Sequence, residues 1–366
     1  MDFVQKELSL RGVPDALVCD DGTRVTTPEK MAVRREELKR ILMENEYGTL
    51  PPAPEEVNVE HAPYVHDFCA GKVDAEILTL SVTVRGKTAS FPVKSAVPKG
   101  EGKHPAFVHI NFRPDSPDRY MPTEEITDRG FALFSFCYQD VAADSADFGA
   151  ALAPILYDGE REGNAPGKIA MWAWAAMRVM DYVCTLPCID TENVAVIGHS
   201  RLGKTALFTG AMDERFKYVI SNDSGCSGAA ISRGKTGETI ERICKVFPYW
   251  FCPAYGENTN PDEKTFDQNF LHALVPPRHL MVGSSEGDAW ADPAGEFLGC
   301  ASANSVYEIY GMKGLVFGES VPAAKAVLDE GDSLYHIRHG EHYLSREDWG
   351  VYMDFIEKKM KKKAQN

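Results

Sequence analysis

The sequence predicts an α/β fold: a three-layer sandwich whose mostly parallel central sheet is extended by antiparallel strands on its N-terminal side. Two observations carry this. From residue 104 onward, short apolar runs recur between helix-length segments: PAFVHINF (105–112), FALFSFCY (131–138), VAVIG (194–198), KYVISND (217–223), HLMVGSS (279–285) and SLYHIRH (333–339). Nearly unbroken apolar strands are buried on both faces, which parallel sheets with helical cover require. The second is the segment GKIAMWAWAAMRVMDYVCTL (167–186), a helix apolar on most of its surface. Its tryptophans, Trp172 and Trp174, are therefore expected in the core.

The elements before residue 104 follow a different rhythm. EKMAVRREELKRILMENEYG (29–48) places Met31, Leu38, Ile41 and Leu42 at helical spacing and stops at Gly48 and the two prolines that follow. AEILTLSVTVRGKTASFPVKSAVP (75–98) reads as a hairpin of two β-rich runs joined at Arg85-Gly86-Lys87. The chain shows no internal repeat, low-complexity segment or Pro/Gly-rich linker. One domain over 1–366 is expected, with 1–95 as an N-terminal extension that includes the antiparallel strands and 96–366 as the α/β core.

Composition bounds the partners. A net charge of −15 argues against a nucleic-acid binder, which needs a basic surface. The one basic run, Lys358-Lys359-Met360-Lys361-Lys362-Lys363, is expected to complement the negative end of a last helix. No stretch approaches a membrane span, and MDFVQKELSLRG lacks the apolar core of a signal peptide. The nine cysteines (19, 69, 137, 184, 188, 226, 244, 252 and 300) are scattered and odd in number, so free thiols in a reducing cytoplasm are expected. Cys184 and Cys188 lack a second ligand pair, so neither a metal nor a cofactor is expected.

The stretch AVIGHSRLGKTAL (195–207) admits two chemistries. Gly198 to Thr205 spells G-x-x-x-x-G-K-T, a phosphate-binding loop that would use Lys204 on phosphates and Thr205 on Mg²⁺. Alternatively, Ser200 stands two residues after a glycine, directly behind an apolar strand, as nucleophile serines do. The interior of the stretch, His199, Ser200, Arg201 and Leu202, is bulky for a loop that must wrap phosphate. The serine reading makes a wider demand, namely serine, then acid, then histidine, each after a strand. Ser200 closes VAVIG, Asp288 follows HLMVGSS, and SLYHIRHGEH supplies histidines before a closing helix. The α/β-hydrolase reading is therefore preferred. Leu202 occupies the place of the usual second glycine, with Gly203 one position later.

His336 falls inside its strand and is expected to be structural. Ser345 and Asp348 read as a capping box for the last helix, leaving His339 and His342 in the loop before it. His199 is expected to pack beneath the turn. Arg201 and Lys204 sit on a first helical turn, where the dipole disfavours cations, so each needs a carboxylate or a ligand.

Taken together, GHSRLGKTAL, ISNDSGCSGAAISR, the Gly237-Glu238 pair, DAWADPAGEF and HIRHGEHYLSREDW resemble the glucuronoyl esterases over roughly residues 100–356. That resemblance implies a serine esterase acting on (4-O-methyl)glucuronoyl esters, of lignin–carbohydrate type or as smaller oligosaccharide or small-molecule fragments. It implies Ser200 as nucleophile, His342 as its base, Arg201 as an oxyanion partner, and Lys204, Glu238 and Trp290 as contacts to the sugar. For the acid it leaves Asp223 and Asp288, with a slight preference for Asp223. A carbohydrate acetylesterase or general carboxylesterase on the same scaffold is the alternative, and nucleotide binding at Gly198–Thr205 is a more distant one.

Overall fold

The computed structural model describes residues 2–65 and 67–365. Ten strands form one sheet: β1 (Glu56–Pro63), β2 (Val73–Val84), β3 (Lys87–Pro98), β4 (His104–Asn111), β5 (Ala132–Cys137), β6 (Ile189–His199), β7 (Tyr218–Asn222), β8 (His279–Ser285), β9 (Val327–Leu328) and β10 (Leu334–Arg338). Their order is β1-β2-β3-β5-β4-β6-β7-β8-β10-β9. The six strands from β5 to β10 in that order run parallel. The hairpin β2–β3 joins them antiparallel through β5, with β1 outside it. The N-terminal strands therefore continue the same sheet.

Alternation along the strands divides the core into two layers. Ala106, Val108, Val194, Val196, Val219, Leu280 and Val282 face one side, where they pack with the helices α3 (Lys168–Val183) and α4 (Arg201–Met212). Their chain neighbours Phe107, Ala195, Ile197, Tyr218, Ile220 and Met281 face the other, under α6 (Arg346–Gln365) with its Trp349, Tyr352 and Phe355. Trp172 and Trp174 are core residues, and their indole N–H groups donate to Ala142 O and Pro52 O. The remaining long helices are α1 (Phe3–Leu10), α2 (Pro28–Asn45) and α5 (Pro293–Ser302).

Helix α2 is capped by Thr27, whose hydroxyl accepts from Lys30 N. It stops before Gly48, where a φ of 88° and a Cβ that would sit 2.6 Å from Ala165 O admit only glycine. The expected capping box opens α6: Ser345 N donates to Asp348 at 2.6 Å and Asp348 N donates to Ser345 Oγ at 3.3 Å. In the basic run, Lys358 and Lys359 pair with Asp329 and Asp332, while Lys362 and Lys363 occupy the last turn. All nine cysteines are free thiols, and among the described residues no helix is long and apolar enough to cross a membrane.

Because β6, β7, β8 and β10 are parallel, their C-terminal ends open on one edge of the sheet. The chain crosses from β4 outward to β5 and then back to β6, so that edge includes a topological switch point, where open α/β sheets keep their sites.

Candidate active site

Ser200 occupies the turn between β6 and α4 with φ 58° and ψ −128°, a strained conformation for a residue with a side chain. Its N–H donates to Asn222 O at 2.8 Å, and its carbonyl accepts from Lys204 N at 3.1 Å. Two glycines make the turn possible. A Cβ on Gly198 would lie 2.1 Å from Leu202 O, and one on Gly203 would lie 2.9 Å from Asn222 O and 3.0 Å from Ser224 Cβ. The displaced glycine thus has a physical cause. The close neighbour on the C-terminal side is the end of β7, which passes under position 203, while Leu202 points into the core.

The nucleotide reading does not survive this geometry. The α4 helix begins at Arg201, leaving no open loop to wrap phosphate. Lys204 is buried with its Nζ donating to Ser224 O, and the buried Thr205 hydroxyl donates to Arg201 O at 2.9 Å within the helix.

Ser200 Oγ lies 2.8 Å from His342 Nε2, and His342 Nδ1 lies 2.6 Å from Asp288 Oδ2. An ionised carboxylate can only accept, so Nδ1 carries the proton and Nε2 presents its lone pair to the serine. Asp288 is buried, its other oxygen accepts from Ala291 N at 3.1 Å, and its own N–H donates to Ser285 O. Burial pushes its carboxyl up, but the hydrogen bonds from His342 Nδ1 and the Ala291 N–H outweigh that and hold it below the ordinary range.

Asp223, slightly preferred from the sequence as the acid, makes no hydrogen bond to the imidazole. The backbone at Asp223 has φ 43°, and its Oδ2 accepts from Ser285 Oγ at 2.7 Å and Tyr343 N at 3.4 Å. Its Oδ1 is buried without a partner. Burial, then the nearby Glu296 carboxyl, push the Asp223 carboxyl up, against the hydrogen bond from Ser285; the Arg338 guanidinium lies 3.6 Å from its Oδ2. An oxygen of Asp223 still lies within 4.8 Å of the ligand atoms of both Asp288 and His342. As a metal trio this set is spent, since both His342 nitrogens are engaged with Asp288 and Ser200.

The other histidines are placed elsewhere. His339 meets the exposed Glu286 at 2.5 Å, and His336 is buried 3.4 Å from Asp348. His199 packs beneath the turn, its Nδ1 2.7 Å from Asn222 Oδ1 and its ring centroid 4.4 Å from that of His342. Burial lowers its pKa to about 3, so it stays neutral.

Arg201 has the carboxylate that its place on the helix demanded, and the sequence reading did not find it. Asp144, in the loop after β5, pairs with the Arg201 guanidinium and also accepts from Trp250 Nε1 at 2.7 Å and Tyr138 OH at 3.0 Å. The guanidinium lies 4.6 Å over the Trp250 ring and 5.8 Å from that of Phe112. Just past β4, the Phe112 N–H is taken by Asn111 Oδ1 at 2.8 Å and Arg113 pairs with Asp118.

Lys204 Nζ also lies 3.9 Å from Glu238. Glu238 N donates to Trp290 O at 3.0 Å, and the Lys235 ammonium donates to Trp290 O and Ala291 O. Gly237, at φ 73°, has no room for a Cβ, which would sit 2.5 Å from Trp290 O. The segment 235–238 therefore clasps the loop that carries Trp290, a residue 54% exposed and free to stack on a ligand.

A serine on a strained strand-to-helix turn, answered by histidine and a buried aspartate from later strand ends, defines a serine hydrolase of the α/β-hydrolase class. Comparison with known proteins narrows this. A family profile described as glucuronyl esterase, fungi, matches residues 80–311, and the chain belongs to that family. It is 45% identical over 195 residues to carbohydrate esterase MZ0003 from an unknown prokaryotic organism, covering 53% of this chain and 45% of the relative. It is 27% identical over 288 residues to a 4-O-methyl-glucuronoyl methylesterase of Podospora anserina, covering 75% of this chain and 56% of the relative. The chain thus spans about half the length of these two curated relatives. A solved glucuronoyl esterase from Solibacter usitatus superposes with a TM-score of 0.86 at 31% identity, covering 94% of this chain and 97% of that one.

Proposed function

We propose that this protein is a serine esterase that hydrolyses esters of glucuronic acid, free or as part of an oligosaccharide, through a covalent acyl-enzyme. The observation that carries the reading is the unbroken chain Ser200 Oγ–His342 Nε2/Nδ1–Asp288 Oδ2, at 2.8 and 2.6 Å, which starts at the N-cap of the helix that bears Arg201 and Lys204.

His342 Nε2 takes the Ser200 proton as Oγ attacks the ester carbon, while Asp288 fixes the imidazole tautomer and stabilises the imidazolium. The negative oxygen of the tetrahedral intermediate is met by the Arg201 backbone N–H and by its guanidinium; a prearranged donor of this kind is worth about 2.7–4 kcal/mol. The imidazolium then protonates the leaving alcohol. Water, deprotonated by the same imidazole, releases the uronate. Lys204 and Glu238 bind sugar hydroxyls, and the sugar face stacks on Trp290. The released acid is an anion, and a chain of net charge −15 exerts no long-range attraction that would retain it.

A broader carbohydrate esterase is the second reading, favoured by the open approach to His342, whose side chain is 44% exposed. Hydrolysis of benzyl glucuronate beside an aryl acetate, by the wild type and by Ser200→Ala, separates the two. The uronate reading expects serine-dependent turnover of the glucuronate well above the acetate, and turnover of acetate alone would discard it.

A further inference from the structure

The loop that carries His342 runs from the end of β10 to the start of α6 without regular structure. A side chain at its base gives it shape. Arg338, the last residue of β10, is 5% exposed. Its guanidinium donates to three carbonyls of the loop: Nη1 to His339 O at 3.0 Å, Nη2 to Glu341 O at 2.9 Å, and Nη2 again to Tyr343 O. One nitrogen thus joins the peptide carbonyls immediately before and immediately after His342. The chain winds closely around it. Gly340 turns at φ 112°, and a Cβ there would lie 2.8 Å from Arg338 Nη1.

The guanidinium is itself fixed. Its Nε donates at 2.9 Å to Asp348 Oδ2, an oxygen that also accepts from Ser345 N and Oγ at the start of α6. A second buried carboxylate, Asp223, places Oδ2 3.6 Å from Nη2 and accepts from Tyr343 N at 3.4 Å. The backbone ties the acid's loop to the same place. Glu286 N donates to Arg338 O at 2.9 Å and Gly287 N to Gly340 O at 2.8 Å, just before Asp288. Strand β10, helix α6 and the loops of the base and the acid therefore meet at one buried cation.

We propose that Arg338 positions the catalytic base: by bridging the carbonyls on either side of His342, it sets where the imidazole stands between Ser200 and Asp288. The inference rests on the serine-esterase reading above and does not depend on the acid half of the ester. Arg338 acts through His342 and not on the substrate. The task suits arginine alone among the cations. Three nitrogens of its rigid fork meet Asp348 and the carbonyls of His339, Glu341 and Tyr343 together. The single nitrogen of a lysine cannot span them. The imidazole must accept from Ser200 Oγ at 2.8 Å while donating to Asp288 at 2.6 Å. A misplacement of about 1 Å in such a constellation costs about 10²-fold.

The test measures kcat and KM on benzyl glucuronate and on an aryl acetate for Arg338→Lys and Arg338→Met, each alone and combined with His342→Ala. Arg338→Lys keeps a cation beside Asp348 and Asp223, and it carries the test should Arg338→Met leave those buried carboxylates too poorly matched to fold. With His342 present, kcat is expected to fall about tenfold in Arg338→Lys and about 10²-fold in Arg338→Met. The factor should be the same on both substrates, and KM should hold, because Lys204, Glu238 and Trp290 stand on other segments. In His342→Ala the base is gone, and neither substitution should lower the residual rate further, since groups that act as one unit are not additive. A merely structural role would lower both backgrounds alike. An equal loss with and without His342, a loss confined to KM, or wild-type kcat in either folded variant would overturn the inference and leave the esterase reading in place. Turnover that survives in Ser200→Ala would overturn that reading, and this inference with it.

Discussion

Replacing each of the two strand-end carboxylates by its amide separates their roles. Asp288 Oδ2 stands 2.6 Å from His342 Nδ1, buried and with its partner oxygen fixed by Ala291 N. In Asp288→Asn the amide N–H₂ can face Nδ1, which then accepts, so the proton moves to Nε2 and the ring can no longer take one from Ser200. A wrong tautomer of this kind costs about 10⁴ in kcat in serine hydrolases. Asp223 is different: it makes no hydrogen bond to the imidazole, and its Oδ2 accepts from Ser285 and Tyr343. Asp223→Asn keeps an oxygen for both contacts and leaves the imidazole's own partner in place, so a loss below about tenfold is expected, on the scale of one neutral hydrogen bond. Steady-state kcat on benzyl glucuronate measures both. A larger loss for Asp223→Asn would refute the assignment. Comparable mild losses would mean that the two carboxylates, whose oxygens approach within 4.8 Å, substitute for one another.

Four further outcomes are expected. Asp144→Asn frees the Arg201 guanidinium from its carboxylate partner, and kcat should fall while KM holds; Arg201→Ala should cost about 10²–10³ in kcat, as loss of an oxyanion donor does. Gly203→Ala places a Cβ 2.9 Å from Asn222 O, and thermal melts should show about 1–3 kcal/mol of destabilisation, as overpacking does. Buried Glu46 has its carboxyl pushed up by desolvation to about 7 from an ordinary 4.5, even though Gln268 donates to both its oxygens. The folded state thus binds the proton more tightly than the unfolded chain. Stability present below about pH 4.5 is lost as pH rises toward 7, on the order of 3 kcal/mol. Glu46→Gln should flatten that decline in melting temperature measured from pH 4 to 8.

The parallel strands were legible because each is buried on both faces and reads as an apolar run. β1 was not: EVNVEHAP sits at the sheet edge, where only Val57 and Val59 are partly covered, and β9 is two residues long. Ser200 and His342 were legible as motifs in order along the chain. The acid was not, because the choice depends on backbone direction. The turn closed by Asp288 N to Ser285 O delivers one carboxylate to the imidazole, and the positive φ of Asp223 aims the other at Ser285. Asp144 lies 57 residues before Arg201 in an irregular loop. Its one trace in the sequence was that a cation on a first helical turn requires a counter-charge.

The central claim is that Ser200 is acylated by the uronate itself, and mass spectrometry of an acid-quenched reaction with benzyl glucuronate tests it most directly. The account predicts a glucuronoyl adduct on the peptide containing Ser200, absent in Ser200→Ala. Turnover that persists in Ser200→Ala, or with no adduct at Ser200, would contradict it.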